Sequence, residues 1–241
     1  MTAFILKIIA LLTMFADHIG ATVPHLLELD GGTNILRVVG RVSFPIFVYL
    51  IAEGFRHTKN PSKFLLRLGI FAIISEPFFD MSIQYSGGIN FFSNTNIFYT
   101  LFLGGLAIVL YQKLMQYSNV VVSLIPVAVC LVLAEFLTVD YGGYGVLFIF
   151  LMYAIKPEKL RLLLMLPLSL WQHAYTIEFL LRYRQWPFSQ YYLLMIPATM
   201  LPVFLIVLYN GKRGIGMKWL FYAAYPAHLA ILAFIVYNTP F

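Results

Sequence analysis

The apolar run from Phe4 to Ala21 is long enough to cross a bilayer, and it carries Asp17 and His18 side by side near its end. A helical span needs about 20 mostly apolar residues. Ionisable groups inside such a helix are costly to hold away from water, and by default they mark a functional site. Further apolar runs follow along the chain. Of the 241 residues 61% are apolar and 11% charged, and the mean hydropathy is +0.84. Soluble domains lie near roughly 45–50% and about 25%. The runs are continuous rather than alternating with period two, so the spans are expected to be helices and not barrel strands. The first run is too long for a signal-peptide core and no small-residue cleavage pattern follows it, so it is expected to remain as the first span.

The expected fold is an all-α polytopic membrane bundle, one domain over residues 1–241. It has about nine spans, eight to ten being compatible with the pattern. The segments are 3–22, 36–55, 63–79, 96–115, 119–137, 143–155, 160–181, 190–209 and 218–237. The sixth is short. The seventh carries Gln172, His173 and Glu178, so it is a candidate for a broken or re-entrant helix. One set of alternate loops holds Arg56, Lys59, Lys63, Arg67, Lys113, Lys156, Lys159, Arg161, Lys212, Arg213 and Lys218; the opposite set holds Arg37, Arg182 and Arg184. Basic loops stay in the cytoplasm, which predicts an inner N-terminus and an outer C-terminus. The +6 formal charge is then a topology signal, and no nucleic-acid partner is expected. The single cysteine, Cys130, lies in an apolar run; it excludes an intrachain disulfide and reads as packing.

That topology collects polar residues at one depth. Asp17 and His18 fall in the outer third of the first span, Arg41 in the outer part of the second, and Glu76 near the outer end of the third. His228 lies closer to mid-depth on the last span, and Glu53 near the inner face. Neutral imidazole is a good general base near neutral pH, and a carboxylate can fix its tautomer. Adjacent helix positions do not face each other, however. Asp17 can instead pair with Arg41 while His18 faces a cavity.

Bland readings stand beside these. Arg41 can snorkel to the head groups, although Pro45 inside the same run predicts a kink there. Glu53 can be solvated or pair with Arg56, its i+3 neighbour. Glu76, before Pro77 and near Asp80, divides between site residue and interface cap. His228, after Pro226 in a kinked helix, divides between function and an inter-helix hydrogen bond. His25 and His57 read as solvated loop residues, and His173 is ambiguous. There is no phosphate loop, no HExxH and no GxSxG, so ATP hydrolysis, zinc proteolysis and a serine elbow have no support. No metal is expected.

Several blocks resemble the TraX family of conjugal-transfer membrane proteins. They are Leu6 to Gly20, which contains Asp17-His18; Gly40-Arg41-Val42-Ser43-Phe44-Pro45-Ile46-Phe47; Glu53-Gly54-Phe55; and Phe221 to Leu229, which contains Tyr225 and His228. The resemblance runs end to end, although residues 110–190 contribute little to it. TraX proteins are similar to the wider transmembrane acyltransferases, and the activity named for them is acetylation of a pilin N-terminal amine from acetyl-CoA. By that resemblance His18 matches the first-span histidine thought to be catalytic and Asp17 its acidic neighbour. Arg41 matches the second-span block, and His228 a last-span histidine.

The expectation is therefore an acetyl-CoA-dependent acetyltransferase in a bacterial cytoplasmic membrane, its partners the lipid bilayer, acetyl-CoA and an amine-bearing peptide, amino sugar or glycan. The catalytic candidates are His18, Asp17, Arg41 and His228; the substrate-binding candidates are Glu53, Glu76 and Tyr225. His18 serves as general base or as transient acyl carrier. Two rival readings keep the same residues: a transporter or channel using the polar layer as a proton or substrate site, and a non-catalytic assembly scaffold.

Overall fold

In the computed structural model of the chain, residues 1–23, 28–29, 33–84, 89–92, 94–171 and 190–238 are described. The helices are α1 (Ala3–Thr22), α2 (Ile35–Gly40), α3 (Ser43–His57), α4 (Pro61–Phe79), α5 (Ile97–Leu114), α6 (Val120–Ser123), α7 (Ile125–Phe136), α8 (Gly142–Ala154), α9 (Glu158–Trp171), α10 (Gln190–Val207) and α11 (Lys218–Asn238). Two antiparallel two-residue strands, β1 (Glu28–Leu29) and β2 (Thr33–Asn34), lie between α1 and α2. The chain is therefore helical, as the continuous apolar runs predict. Ala3–Thr22, Ile35–His57, Ile97–Leu114 and Lys218–Asn238 are long and apolar enough to cross a membrane; Val120–Phe136, Gly142–Ala154 and Leu194–Val207 are shorter apolar helices.

Two segments differ in detail from their sequence reading. The second span breaks at Arg41 and Val42 into α2 and α3. The cause is Pro45, whose ring clashes with the carbonyl four residues back, that of Arg41. The amides of Arg41 and Val42 turn instead to the carbonyls three residues back, Val38 and Val39, at 3.1 and 3.2 Å. The fifth span is likewise divided, with Leu124 between α6 and α7 and Pro126 in the first turn of α7. The seventh segment is helical to Trp171. The readings at His25, Gln172, His173, Glu178, Arg182 and Arg184 lie outside the described residues.

The chain divides into two compact units. The first comprises Met1–Phe47 and Pro157–Lys218, the second Val48–Lys156 and Trp219–Phe241. In the first, the start of α1 is strapped to the loop after α10. The amides of Ala3 and Phe4 donate to the carbonyls of Lys212 and Arg213 at 2.9 and 3.1 Å, and the Asn210 amide donates to the Met1 carbonyl at 2.9 Å. Thr2 caps α1 by accepting from the Ile5 amide. The α1–α2 contact is close because each helix offers a glycine to the other. A β-carbon at Gly20 would lie 2.8 Å from Asn34 Oδ1 and 2.9 Å from Leu36 Cβ, and one at Gly40 would overlap the Asp17 side chain.

The second unit packs α4, α5, α7, α8 and the body of α11. On α4 the exposed apolar face is Leu66, Ile70, Ile73 and Ile74. The buried stripe is Leu68, Ala72, Ser75, Glu76 and Phe79, at helical spacing. Glu76 thus points into the protein. Helix α8 is held at both ends. Glu135 Oε1 accepts from the Gly143 amide at 2.7 Å. At the other end, Arg56 Nη2 donates to the carbonyls of Met152 at 3.2 Å, Tyr153 at 2.6 Å and Ile155. Anion at the amino end and cation at the carboxyl end both match the helix dipole.

Candidate functional site

In the first unit, a single carboxylate holds two arginines. Asp17 Oδ1 accepts from Arg41 Nη2 and Asp17 Oδ2 from Arg37 Nη1, each at 2.6 Å. Arg37 Nη1 also reaches the Asp17 carbonyl at 3.3 Å, and Arg41 Nε donates to the Arg37 carbonyl at 3.1 Å. Asn34 sets the start of α2. Its Oδ1 accepts from the amides of Leu36 and Arg37, and its Nδ2 donates to the Gly20 carbonyl at 3.4 Å. The side chains of Asp17 and Arg41 are 16% and 15% exposed, whereas Arg37 is 36% exposed. The pairing of Asp17 with Arg41 is thus the arrangement adopted.

Arg37 is the partner that sequence reading missed, because it scored as an outer-loop charge. Its signal was the i, i+4 spacing to Arg41, which puts both guanidiniums on one helix face. Two guanidiniums thus share one carboxylate. Half-buried His18 follows Asp17 directly on α1, about 100° around the helix, and its carbonyl accepts from Thr22 Oγ1 at 2.7 Å. The arrangement therefore places an imidazole-bearing residue next to a pair of guanidiniums held by one carboxylate.

The second unit holds a separate polar cluster. Glu76 is fully buried. Its Oε2 accepts from the Asn96 amide at 3.1 Å and from Asn96 Nδ2, while Oε1 has no hydrogen-bond partner among the described residues. Asn96 Nδ2 also donates to the Ala72 carbonyl at 2.9 Å, and Asn96 Oδ1 caps α5 at the Phe98 amide. Asp80, in the π-helical turn that continues α4, accepts from the Asn90 amide at 2.6 Å. Burial of its carboxyl raises its pKa above the ordinary aspartate value.

Tyr225 is buried within electrostatic reach of Glu76 and Asp140. Its ring meets Phe98 edge-on at 5.1 Å and the His228 imidazole at 5.3 Å. His228 Nδ1 lies 3.0 Å from the Ala224 carbonyl. A carbonyl only accepts, so the neutral ring carries its proton on Nδ1 and its lone pair on Nε2. The unit therefore brings Glu76, Tyr225 and His228 into one neighbourhood. Glu53 keeps different company, 4.0 Å from Arg56 Nε and 3.7 Å from His57 Nδ1. No group of three His, Cys, Asp or Glu side chains among the described residues is arranged to hold a metal.

The family model described as "TraX protein" matches residues 3–236. The chain belongs to the TraX family. The match includes every candidate residue named above, so the likeness read from the Asp17-His18, Arg41 and His228 blocks holds over nearly the whole TraX chain. This TraX protein is also similar to a curated relative from Dichelobacter nodosus, "Probable fimbrial assembly protein FimC, serogroup H1". The two are 30% identical over 255 aligned positions, which cover 96% of this chain and 94% of the relative. No solved structure matches.

Proposed function

We propose that this TraX-family protein is an acetyltransferase of the bacterial cytoplasmic membrane, with a transmembrane-acyltransferase-like bundle and a cytoplasmic N-terminus. It moves an acetyl group from acetyl-CoA to an amine or hydroxyl acceptor. The observation that carries this reading is the Asp17–Arg37–Arg41 cluster beside His18, two guanidiniums anchored on one carboxylate. In acetyl transfer the acceptor nitrogen attacks the thioester carbonyl carbon. The C–N bond forms, the C–S bond breaks, His18 takes the N–H proton, and the departing sulfur receives a proton to leave as CoA thiol. The carbonyl oxygen gains negative charge during attack, and the positive charge of Arg41 would stabilise it. A two-step route through acetyl-His18 uses the same groups.

Asp17 acts by aiming the guanidiniums. Within the second unit, Glu76, Tyr225 and His228 form by themselves a further candidate cluster for an amine. The acceptor classes remain peptide, amino sugar and glycan.

The name of the Dichelobacter relative favours a second reading, a fimbrial assembly role without chemistry. One assay separates the two. Detergent-purified protein is given acetyl-CoA and crude amine acceptors, and free thiol is followed. Acetyl transfer gives acceptor-dependent thiol release that His18→Ala abolishes at unchanged expression. Absence of release from the wild-type protein, with piliation still dependent on it, selects the assembly reading.

A further inference from the structure

Buried charges need partners. Arg37 and Arg41 share Asp17, Arg56 has three carbonyls and Glu53, and buried Arg161 lies 3.8 Å from Glu158. Arg67 differs. It sits on α4, about 10 Å along the axis from the Asn60 cap, half-buried, and no carboxylate among the described residues pairs with it. Its guanidinium carbon lies 5.9 Å from the ring centres of both Phe64 and Tyr222. Tyr222 is within electrostatic reach of the same guanidinium. Its Nε is sealed from solvent and has no acceptor among the described residues.

Aromatic faces hold a guanidinium flat and favour its charge, but they leave the N–H donors in the plane unanswered. Two parallel N–H groups in that plane match two oxygens of a phosphate. Trp219 stands next to Tyr222 at 6.3 Å and is 58% exposed, so a large aromatic surface adjoins the guanidinium. All of these residues belong to the second unit.

We propose that Arg67, framed by Phe64 and Tyr222, binds a phosphate group. Resting on the acetyl-CoA reading above, that group is a phosphate of the donor's nucleotide portion. The alternative source of the same chemistry is an anionic lipid headgroup.

Wild-type, Arg67→Ala, Arg67→Lys and Lys63→Ala proteins are purified in detergent, checked for a common size-exclusion profile, and titrated with CoA and with pantetheine, which lacks phosphate. Ligand binding is read from the shift in unfolding temperature. CoA is expected to stabilise the wild-type and Lys63→Ala proteins, with Arg67→Ala raising its apparent Kd roughly tenfold or more. Arg67→Lys falls between, because it keeps the charge and loses the fork. Pantetheine acts equally on all four proteins.

A second arm compares nanodiscs of phosphatidylglycerol with nanodiscs of phosphatidylcholine. If CoA does not bind even the wild-type protein, the acetyl-CoA reading fails. An Arg67-dependent gain in phosphatidylglycerol then supports the phosphate site and assigns it to lipid. If neither CoA nor phosphatidylglycerol distinguishes wild-type from Arg67→Ala and Arg67→Lys, the proposal is overturned.

Discussion

Gly40 of α2 lies so close to Asp17 of α1 that the carboxylate occupies the space a side chain at position 40 would fill. This approach lets Asp17 reach Arg37 and Arg41 at once, one turn apart on α2. Gly40→Ala must push the carboxylate aside or separate the helices. The expected cost is about 1–3 kcal/mol, visible as a lower unfolding temperature in detergent. The proposed thiol release should fall as well, since the guanidiniums lose their common anchor. An unchanged unfolding temperature would show that α1 and α2 do not pack this way.

Removal of Asp17 has a different signature from removal of either arginine. Asp17→Asn removes the carboxylate that two guanidiniums share. Breaking a buried pair costs about 3–5 kcal/mol, and the 16% exposure of Asp17 places this case below that range. Arg41→Ala should destabilise more than Arg37→Ala, because Arg37 is 36% exposed and solvent screens its pair. A double-mutant cycle over Asp17 and Arg41, read by thermal unfolding, measures the coupling. Zero coupling would remove this pair from the account.

Glu76 makes a sharper test of the second cluster. Glu76→Gln keeps an acceptor for Asn96, whereas Glu76→Ala leaves the buried Asn96 amide unanswered, a loss of about 1–3 kcal/mol. The glutamine variant should therefore fold like wild-type and the alanine variant should not. If Glu76 binds the acceptor amine, Glu76→Gln also raises the acceptor KM while leaving use of the donor unchanged. Equal KM values would exclude it from substrate binding.

Arg56 bridges α3 to the last carbonyls of α8. Arg56→Ala should fray the end of α8 near Tyr153–Ile155, seen as faster hydrogen exchange there and not at the Gly143 end, where Glu135 still accepts. Uniform exchange along α8 would contradict the clamp.

Cys130 is 1% exposed within α7. A maleimide should leave it unlabelled in the folded protein and label it after denaturation. Labelling without denaturant would mean that α7 is less closely packed than the structure has it.

How much of this was legible in the sequence depends on the distance over which each property acts. Span positions followed from local hydropathy, and Ala3–Thr22, Ile97–Leu114 and Lys218–Asn238 begin and end close to where the apolar runs do. The TraX likeness followed from blocks around Asp17-His18, Arg41 and His228, which are also contiguous in the chain. The break at Arg41 was foreshadowed by Pro45, although its form as two short-range amide bonds was not. Which partner each charge took was decided only by packing. Asp17 had several cations to choose from, and the mutual glycine contacts at Gly20 and Gly40 brought Arg37 into reach along with Arg41. Glu76 turned inward toward Asn96 because the stripe of α4 that it shares with Leu68 and Ala72 is the packed one. Hydropathy is a sum over neighbours in the chain and can be read residue by residue. Charge pairing depends on which helix faces meet, and that is a property of the folded protein alone.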